Sequence, residues 1–117
     1  MESQQAAIQL TKLINGFQVS QIIHVAASLG IADRLCNGAR PSAALAAEIG
    51  ADPRSLYRLM HALAAVGVLN EQADASFSLT DMGECLRSDS PNSRVAWARN
   101  IGRPYAWQAW GGCATAL

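Results

Sequence analysis

The chain has 117 residues, a formal net charge of zero, 50% hydrophobic residues and 15% charged residues. This composition excludes a disordered chain, and the length excludes two full-sized domains. Charge neutrality argues against a protein whose main task is to bind nucleic acid phosphates, and against a polybasic membrane anchor. No apolar run reaches the ~20 residues of a membrane span, and the N-terminus has no signal-peptide pattern. We therefore predict a cytoplasmic protein with no membrane partner.

The three cysteines, Cys36, Cys85 and Cys113, form no CxxC pair. An odd number of cysteines argues against a disulfide framework, and the missing pairs argue against a zinc site. We predict three reduced, packed cysteines and no bound metal.

Glycines divide the first third of the chain into helices. The first helix is predicted from about Gln4 to Asn15, with Gly16 as its C-terminal cap. The second runs from about Phe17 to Leu29 and ends at Gly30, because its apolar residues keep helical spacing. A short helix over 31–36 follows.

The segment from Ser42 to Leu79 has the pattern of a winged helix-turn-helix. A short helix over 42–49 precedes a tight turn, and a longer helix runs from Pro53 to Val66 with Asp52 as its N-cap. The longer helix carries one apolar stripe at intervals of three and four residues. The sequence therefore predicts two helices that cross at a turn.

The hydrophobic period changes after this helix. Residues 68–71 and 76–79 are predicted as two short strands of a β-hairpin wing. Thr80 caps a further short helix, and two more helices are predicted over 93–101 and 104–117. The chain is therefore mainly helical with a small β-hairpin.

A winged helix can read DNA through its second helix, which here would present Arg54, Ser55, Arg58 and His61. The chain has a single lysine, Lys12, and its wing is acidic rather than basic. A DNA reader usually carries positive charge there, so the motif indicates architecture better than function. A freestanding winged-helix transcription regulator remains the alternative.

The sequence contains no visible catalytic apparatus. His24 lies in the apolar second helix, His61 lies on the exposed side of the longer helix, and neither has a metal-ligand spacing. We predict structural or solvated roles for both histidines. No carboxylate pair or nucleophile–base arrangement is apparent, so we predict no catalytic or cofactor-binding residue in this chain.

Both ends carry more apolar surface than a small domain needs. Four aromatic residues cluster near the C-terminal end: Trp97, Tyr105, Trp107 and Trp110. Such residues usually mark a contact surface, and the first two helices are apolar on more than one side. We predict a homodimer through the N-terminal helices and a C-terminal segment that packs on a further domain or subunit. A tail that folds back on its own domain is the alternative.

Several segments resemble the N-terminal region of the small-molecule O-methyltransferases, a family with plant phenolic, bacterial antibiotic-tailoring and carotenoid-pathway members. The similar segments are 16–21 (GFQVSQ), 26–33 (AASLGIAD), 50–60 (GADPRSLYRLM), 77–80 (FSLT), 83–89 (GECLRSD) and 107–111 (WQAWG). The resemblance covers nearly the whole chain, and the order and spacing of its motifs are specific.

The resemblance implies a mainly α fold: a winged helix-turn-helix with a small β-hairpin wing, flanked by N-terminal dimerisation helices and C-terminal linker helices. The dimerisation helices would occupy 1–36, the winged helix 37–88 and the linker helices 89–117. In that family a following Rossmann-like domain binds S-adenosylmethionine and carries the general-base histidine. Neither feature is in this sequence, so we expect this chain alone to be inactive and to act with such a catalytic domain.

The family's reaction implies four candidate residues at the acceptor pocket. A base or a positioned polar group removes the proton of a small-molecule hydroxyl, and the oxygen attacks the sulfonium methyl group in line. Enclosure by the N-terminal domain would position the acceptor and exclude water. By resemblance, Arg99, Asn100, Ile101 and Trp107 would line this pocket, with Asn100 bonded to a substrate oxygen and Trp107 over an aromatic or polyene ring. The alternative is that these residues only hold two domains together.

Overall fold

Two consecutive helices open the chain in the computed structural model, which describes residues 2–112. Helix α1 spans Glu2–Ile14 and helix α2 spans Gly16–Leu29, which ends at Gly30 in the left-handed conformation (φ 68°). The prediction that Gly16 caps the first helix is wrong, because Gly16 is the first residue of α2. The junction residue Asn15 has φ −84° and ψ 3°, so the chain needs no left-handed glycine there.

The helix-turn-helix follows as predicted. Short helix α3 (Ile31–Arg34) leads to strand β1 (Arg40–Pro41), helix α4 (Ser42–Ile49) and helix α5 (Pro53–Ala65). The Asp52 side chain accepts a hydrogen bond of 2.9 Å from the Ser55 backbone N–H, which satisfies a free donor of the first turn of α5. The turn before α5 is therefore built by local chemistry.

The wing has one strand more than predicted. Strand β2 (Leu69–Gln72) and strand β3 (Ser76–Leu79) form the hairpin, joined by a 3₁₀ turn over Ala73–Ala75. Strand β1 pairs antiparallel with the other side of β3, so the sheet order is β1-β3-β2. Strand β1 was not predicted because its two residues are too few to show an alternating pattern, and because a proline usually indicates a break rather than a strand. Pro41 is accommodated because β1 is an edge strand.

Three helices complete the described chain: α6 (Asp81–Glu84), α7 (Val95–Ile101) and α8 (Pro104–Gly111). Thr80 caps α6 as predicted, since its side-chain oxygen accepts a hydrogen bond of 3.1 Å from the backbone N–H of Gly83. Helix α7 begins two residues later than predicted. The predicted extension of the last helix to Leu117, the Trp110 side chain and Cys113 lie outside the described residues.

The main core lies where α2, α4 and α5 pack on the sheet. Its largest fully buried side chains are those of Phe77, Ile31, Leu35, Leu45, Met60 and Leu63. A smaller cluster of Ala27, Val95 and Ala98 joins α2 to α7. Cys36 and Cys85 are free thiols, but Cys36 is exposed rather than packed as predicted. Within residues 2–112, no helix is long and apolar enough to cross a membrane.

Candidate functional site

An open cleft lies between the first turns of α2 and the junction of α7 with α8. Its volume is about 530 Å³, within the range of small-molecule pockets. The rings of Phe17 and Trp107 meet edge to face, with centroids 6.4 Å apart and planes at 83°. The lining residues are Phe17, Gln18, Gln21, Ile22, Gly102 and Trp107.

The chemistry of this lining is that of a binding surface. Two aromatic rings and Ile22 supply apolar contact, and the amides of Gln18 and Gln21 supply hydrogen-bond donors and acceptors. None of the six lining residues has an ionisable side chain, so the lining provides no acid or base. The cleft can hold a planar, mostly apolar group with a polar edge.

The structure separates the four residues that the sequence grouped together. Trp107 lines the cleft, whereas the Nε of Arg99 donates a hydrogen bond of 3.0 Å to the backbone oxygen of Ala27. The Asn100 side-chain oxygen accepts a hydrogen bond from the hydroxyl of Tyr105, and Ile101 is half-buried. Among the described residues, only Trp107 of these four belongs to the cleft lining.

The other side of the cleft was not predicted. Phe17, Gln18 and Gln21 belong to a predicted apolar helix and to one of the segments that carry the resemblance, but neither observation predicts a pocket at these residues. The signal available was the position of Phe17 at the end of the apolar stripe of α1. The pairing of Phe17 with Trp107 depends on how α7 packs on α2, which no local pattern encodes.

The exposed residues of α1 form a second surface, continuous with the cleft. None of the residues from Glu2 to Ile14 is buried, although the helix carries several large apolar side chains. Leu10 is 58% exposed, Leu13 78% and Ile14 61%, and Phe17 at the edge of the cleft is 53% exposed. A contiguous apolar patch of this kind marks an interaction site. This surface, the α1 stripe, is defined by Leu10, Leu13, Ile14 and Phe17.

The polar face of α5 is tied to the wing. Glu71 accepts hydrogen bonds from the hydroxyl of Tyr57 at 2.7 Å and from Nδ1 of His61 at 2.6 Å. These two bonds hold the pKa of Glu71 below its ordinary value, and the bond to the carboxylate raises the pKa of Tyr57. His61, a candidate DNA contact, therefore pairs with a carboxylate of its own chain.

The remaining candidate DNA contacts lie beside acidic groups or stand alone. The Ser55 hydroxyl donates to Asp52 at 2.9 Å. The hydrogen bonds from the backbone and the side chain of Ser55 lower the pKa of Asp52, and the charge of Arg58 lowers it further. Arg54 and Arg58 are exposed. Two exposed arginines do not make the continuous basic surface that phosphate binding needs.

No metal centre is apparent in the part of the chain from residue 2 to 112, where no three of its histidine, cysteine, aspartate and glutamate side chains come together. The cleft can bind an apolar molecule, and the α1 stripe can bind a protein partner.

The family model described as the O-methyltransferase dimerisation domain matches residues 11–89. The chain is 38% identical over 84 residues to the phenazine O-methyltransferase PhzM of Lysobacter antibioticus, covering 72% of this chain and 25% of that protein. It is 35% identical over 106 residues to the 8-amino-8-demethylriboflavin N,N-dimethyltransferase of Streptomyces davaonensis, covering 91% of this chain and 30% of that protein.

The fold is also that of solved methyltransferase structures. Human N-acetylserotonin methyltransferase in complex with SAM (S-adenosylmethionine) matches with a TM-score of 0.86 at 29% identity, covering 96% of this chain and 34% of that one. The chain thus spans about a quarter to a third of the length of these proteins. The mainly helical fold with a small antiparallel sheet is confirmed.

Proposed function

The chain belongs to the O-methyltransferase dimerisation domain family, and we propose that it forms a homodimer and encloses the acceptor of a SAM-dependent methyltransferase that acts on a small-molecule hydroxyl. The family is found in both O- and N-methyltransferases, so the hydroxyl acceptor is part of the proposal. The catalytic partner is a SAM-binding domain, because this chain matches only the dimerisation-domain portion of its relatives. The assembled protein would be the enzyme, and this chain alone would be inactive.

The exposed α1 stripe is the observation that carries the proposal. A helix with no buried residue between Glu2 and Ile14 and with Leu13 78% exposed is not stabilised by its own domain. Burying one leucine side chain contributes about 1.5–3 kcal/mol, so covering this stripe would contribute substantially to the free energy of association with a partner. A second copy of the chain supplies a self-complementary surface, since a twofold axis brings the same stripe from each copy together.

The proposal is tested by the mass in solution of two matched variants. Leu10 on α1 and Met82 on α6 are both 58% exposed, so Leu10→Lys and Met82→Lys make the same chemical change at equally exposed sites. We expect a dimer for the wild type and for Met82→Lys by sedimentation equilibrium. Leu10→Lys should weaken the dimer at least about tenfold for each copy of the lost contact. A wild-type monomer at all concentrations would contradict the homodimer.

Acceptor enclosure is proposed for the cleft. Trp107 and Phe17 would cover an aromatic or polyene ring, and the amides of Gln18 and Gln21 would meet its polar edge. Asn100 would donate from its side-chain NH2 group to a substrate oxygen, while its side-chain oxygen accepts from Tyr105. Ile101 would add apolar contact beside it.

The described residues do not fit S-adenosylmethionine. A dinucleotide-type cofactor site needs a glycine-rich turn from a parallel strand into a helix, with an acidic side chain nearby. The sheet of residues 2–112 is antiparallel, and the six residues that line the cleft include no carboxylate. We propose that the cofactor is bound by the catalytic domain alone. Calorimetry with this chain should detect no heat of SAM binding, and a measurable affinity would contradict this assignment.

A further inference from the structure

Helices α2 and α7 are joined by two hydrogen bonds that run in opposite directions. Nδ1 of His24 on α2 lies 3.0 Å from the backbone oxygen of Ala98 on α7. The next residue, Arg99, donates from Nε to the backbone oxygen of Ala27 on α2, also at 3.0 Å. A carbonyl oxygen only accepts, so Nδ1 of His24 carries the proton. These two hydrogen bonds fix both the position of α7 along α2 and its rotation relative to α2.

The His24 ring also packs directly on the backbone where α7 ends. A Cβ atom at Gly102 would lie 2.0 Å from Cγ and 2.4 Å from Cδ2 of His24. Gly102 has φ −93° and ψ 0°, which other residues adopt, so the position needs glycine for space rather than for conformation. The imidazole therefore determines how closely the end of α7 approaches α2.

Gly102 connects this contact to the cleft. It lines the cleft itself, and α8 begins two residues later at Pro104. The backbone N–H of Arg103 donates to the oxygen of Asn100 at 3.1 Å, and that of Trp107 donates to the oxygen of Arg103 at 3.3 Å. These two bonds link the backbone of Asn100 through Arg103 to Trp107, so a displacement at Gly102 should move the indole relative to Phe17.

We propose that His24, Arg99 and Gly102 are positioning residues that hold Trp107 across the cleft from Phe17. Arg99 then influences the binding of an aromatic acceptor without touching it. The proposal rests on the proposed function only where the acceptor is named as the ligand. The placement of Trp107 in the free protein can be measured without any ligand.

The test follows Trp107 as the single tryptophan, in a background with Trp97→Phe and Trp110→Phe. Acrylamide quenching reports the exposure of the indole, and calorimetry with 2-naphthol reports binding of a planar phenol. Gly102→Ala should increase the quenching constant and weaken 2-naphthol binding by about three- to tenfold, the size of one aromatic contact. Gly111→Ala is the matched control, because its Cβ would meet no atom within 4 Å, and it should change neither value.

Arg99→Met separates positioning from direct contact. If Arg99 positions α7, the quenching constant rises before any ligand is added. If 2-naphthol binding weakens while quenching in the free protein stays at the wild-type value, Arg99 contacts the ligand and its positioning role is overturned. Circular dichroism checks that each variant is folded, since a purely structural role would lower stability without moving the Trp107 signal in the folded state.

Two further outcomes keep the test decisive. If Gly102→Ala does not fold, His24→Ala removes the ring without adding volume and should raise the quenching constant in the same way. An unchanged quenching constant in His24→Ala would overturn the proposal. If 2-naphthol does not bind the wild type, the cleft of this chain alone is not a site for a planar phenol, and the quenching comparison still decides whether these residues position Trp107.

Discussion

Nδ1 of His61 on α5 lies 2.6 Å from Oε1 of Glu71 on β2, and this pair ties the second helix of the helix-turn-helix to the wing. Tyr57 donates to the other oxygen of the same carboxylate at 2.7 Å, and its ring stacks on that of His61 with centroids 5.7 Å apart. His61, one of the four residues that would face DNA in a regulator, is therefore bonded to another element of its own domain.

This cluster predicts a pH-dependent stability. The bonds from Tyr57 and His61 lower the pKa of Glu71 below its ordinary value of 4.5. A carboxylate with a lowered folded-state pKa stabilises the fold above its unfolded pKa, and this contribution is lost as the pH falls through the lower, folded-state value. Glu71→Gln should therefore lower the free energy of unfolding at neutral pH, with a difference from wild type that shrinks below pH 4.5.

Urea unfolding of both proteins at several pH values between about 3 and 8 checks this expectation. Tyr57→Phe is the companion variant, because it removes the larger cause of the pKa shift of Glu71 while keeping the ring. In Tyr57→Phe the pKa of Glu71 should lie closer to its ordinary value. The stabilisation from Glu71 should then be smaller than in the wild type and should be lost at a higher pH. A difference between Glu71→Gln and wild type that is the same at all pH values would contradict the prediction.

The exposed arginines of α5 allow a direct test of the regulator alternative. Because this face carries only two arginines and the wing carries Glu71 and Asp74, we expect no salt-dependent binding to duplex DNA. Fluorescence anisotropy with a labelled duplex at about 50 and 200 mM salt measures this, since phosphate binding falls steeply over that range. The double variant Arg54→Ala/Arg58→Ala should have the same oligomeric state as the wild type. Affinity that falls with salt and disappears in the double variant would favour the regulator.

Local chemistry explains which parts of the fold were predictable. Asp52 and Pro53 mark the start of α5 by capping and by the fixed φ of proline, and both act within one turn. The buried stripe of α5 is read from its spacing for the same reason. Strand β1 was missed because Arg40 and Pro41 become a strand only when β3 lies beside them, so the signal belongs to the partner strand.

The cleft shows the corresponding limit for the site. The resemblance implies that Trp107 lines an acceptor pocket, and this stays a prediction; in the structure Trp107 lines the cleft. Arg99 was predicted at the acceptor pocket by the same resemblance. Its bond to Ala27 exists only because α7 packs on α2, and the space for the His24 ring exists only because residue 102 has no side chain. Contacts between distant segments leave no periodic signal.

Gly83 on α6 predicts a destabilising substitution. A Cβ at this buried position would lie 2.3 Å from the backbone oxygen of Val68 and 3.2 Å from Cδ2 of Leu79, and a backbone atom cannot rotate away. Gly83→Ala should lower the free energy of unfolding by about 1–3 kcal/mol, the usual cost of overpacking. Gly16→Ala is the control, because its Cβ would meet no atom within 4 Å at the start of α2. Urea denaturation should show it unchanged or slightly stabilised, and equal effects would refute the steric explanation.

The tip of the wing predicts a stabilising substitution. Asp74 and Ala75 have φ of 65° and 54°, which L-residues adopt at a cost. Left-handed backbone costs alanine about 1–2 kcal/mol, and glycine avoids this cost but gives the unfolded chain more freedom. Ala75→Gly should therefore raise the free energy of unfolding by about 0.5–1 kcal/mol. Ala73→Gly in the same turn keeps a negative φ, so only the unfolded-state effect applies and stability should fall. Opposite signs in urea denaturation would establish the strain at Ala75, and a loss in both variants would exclude it.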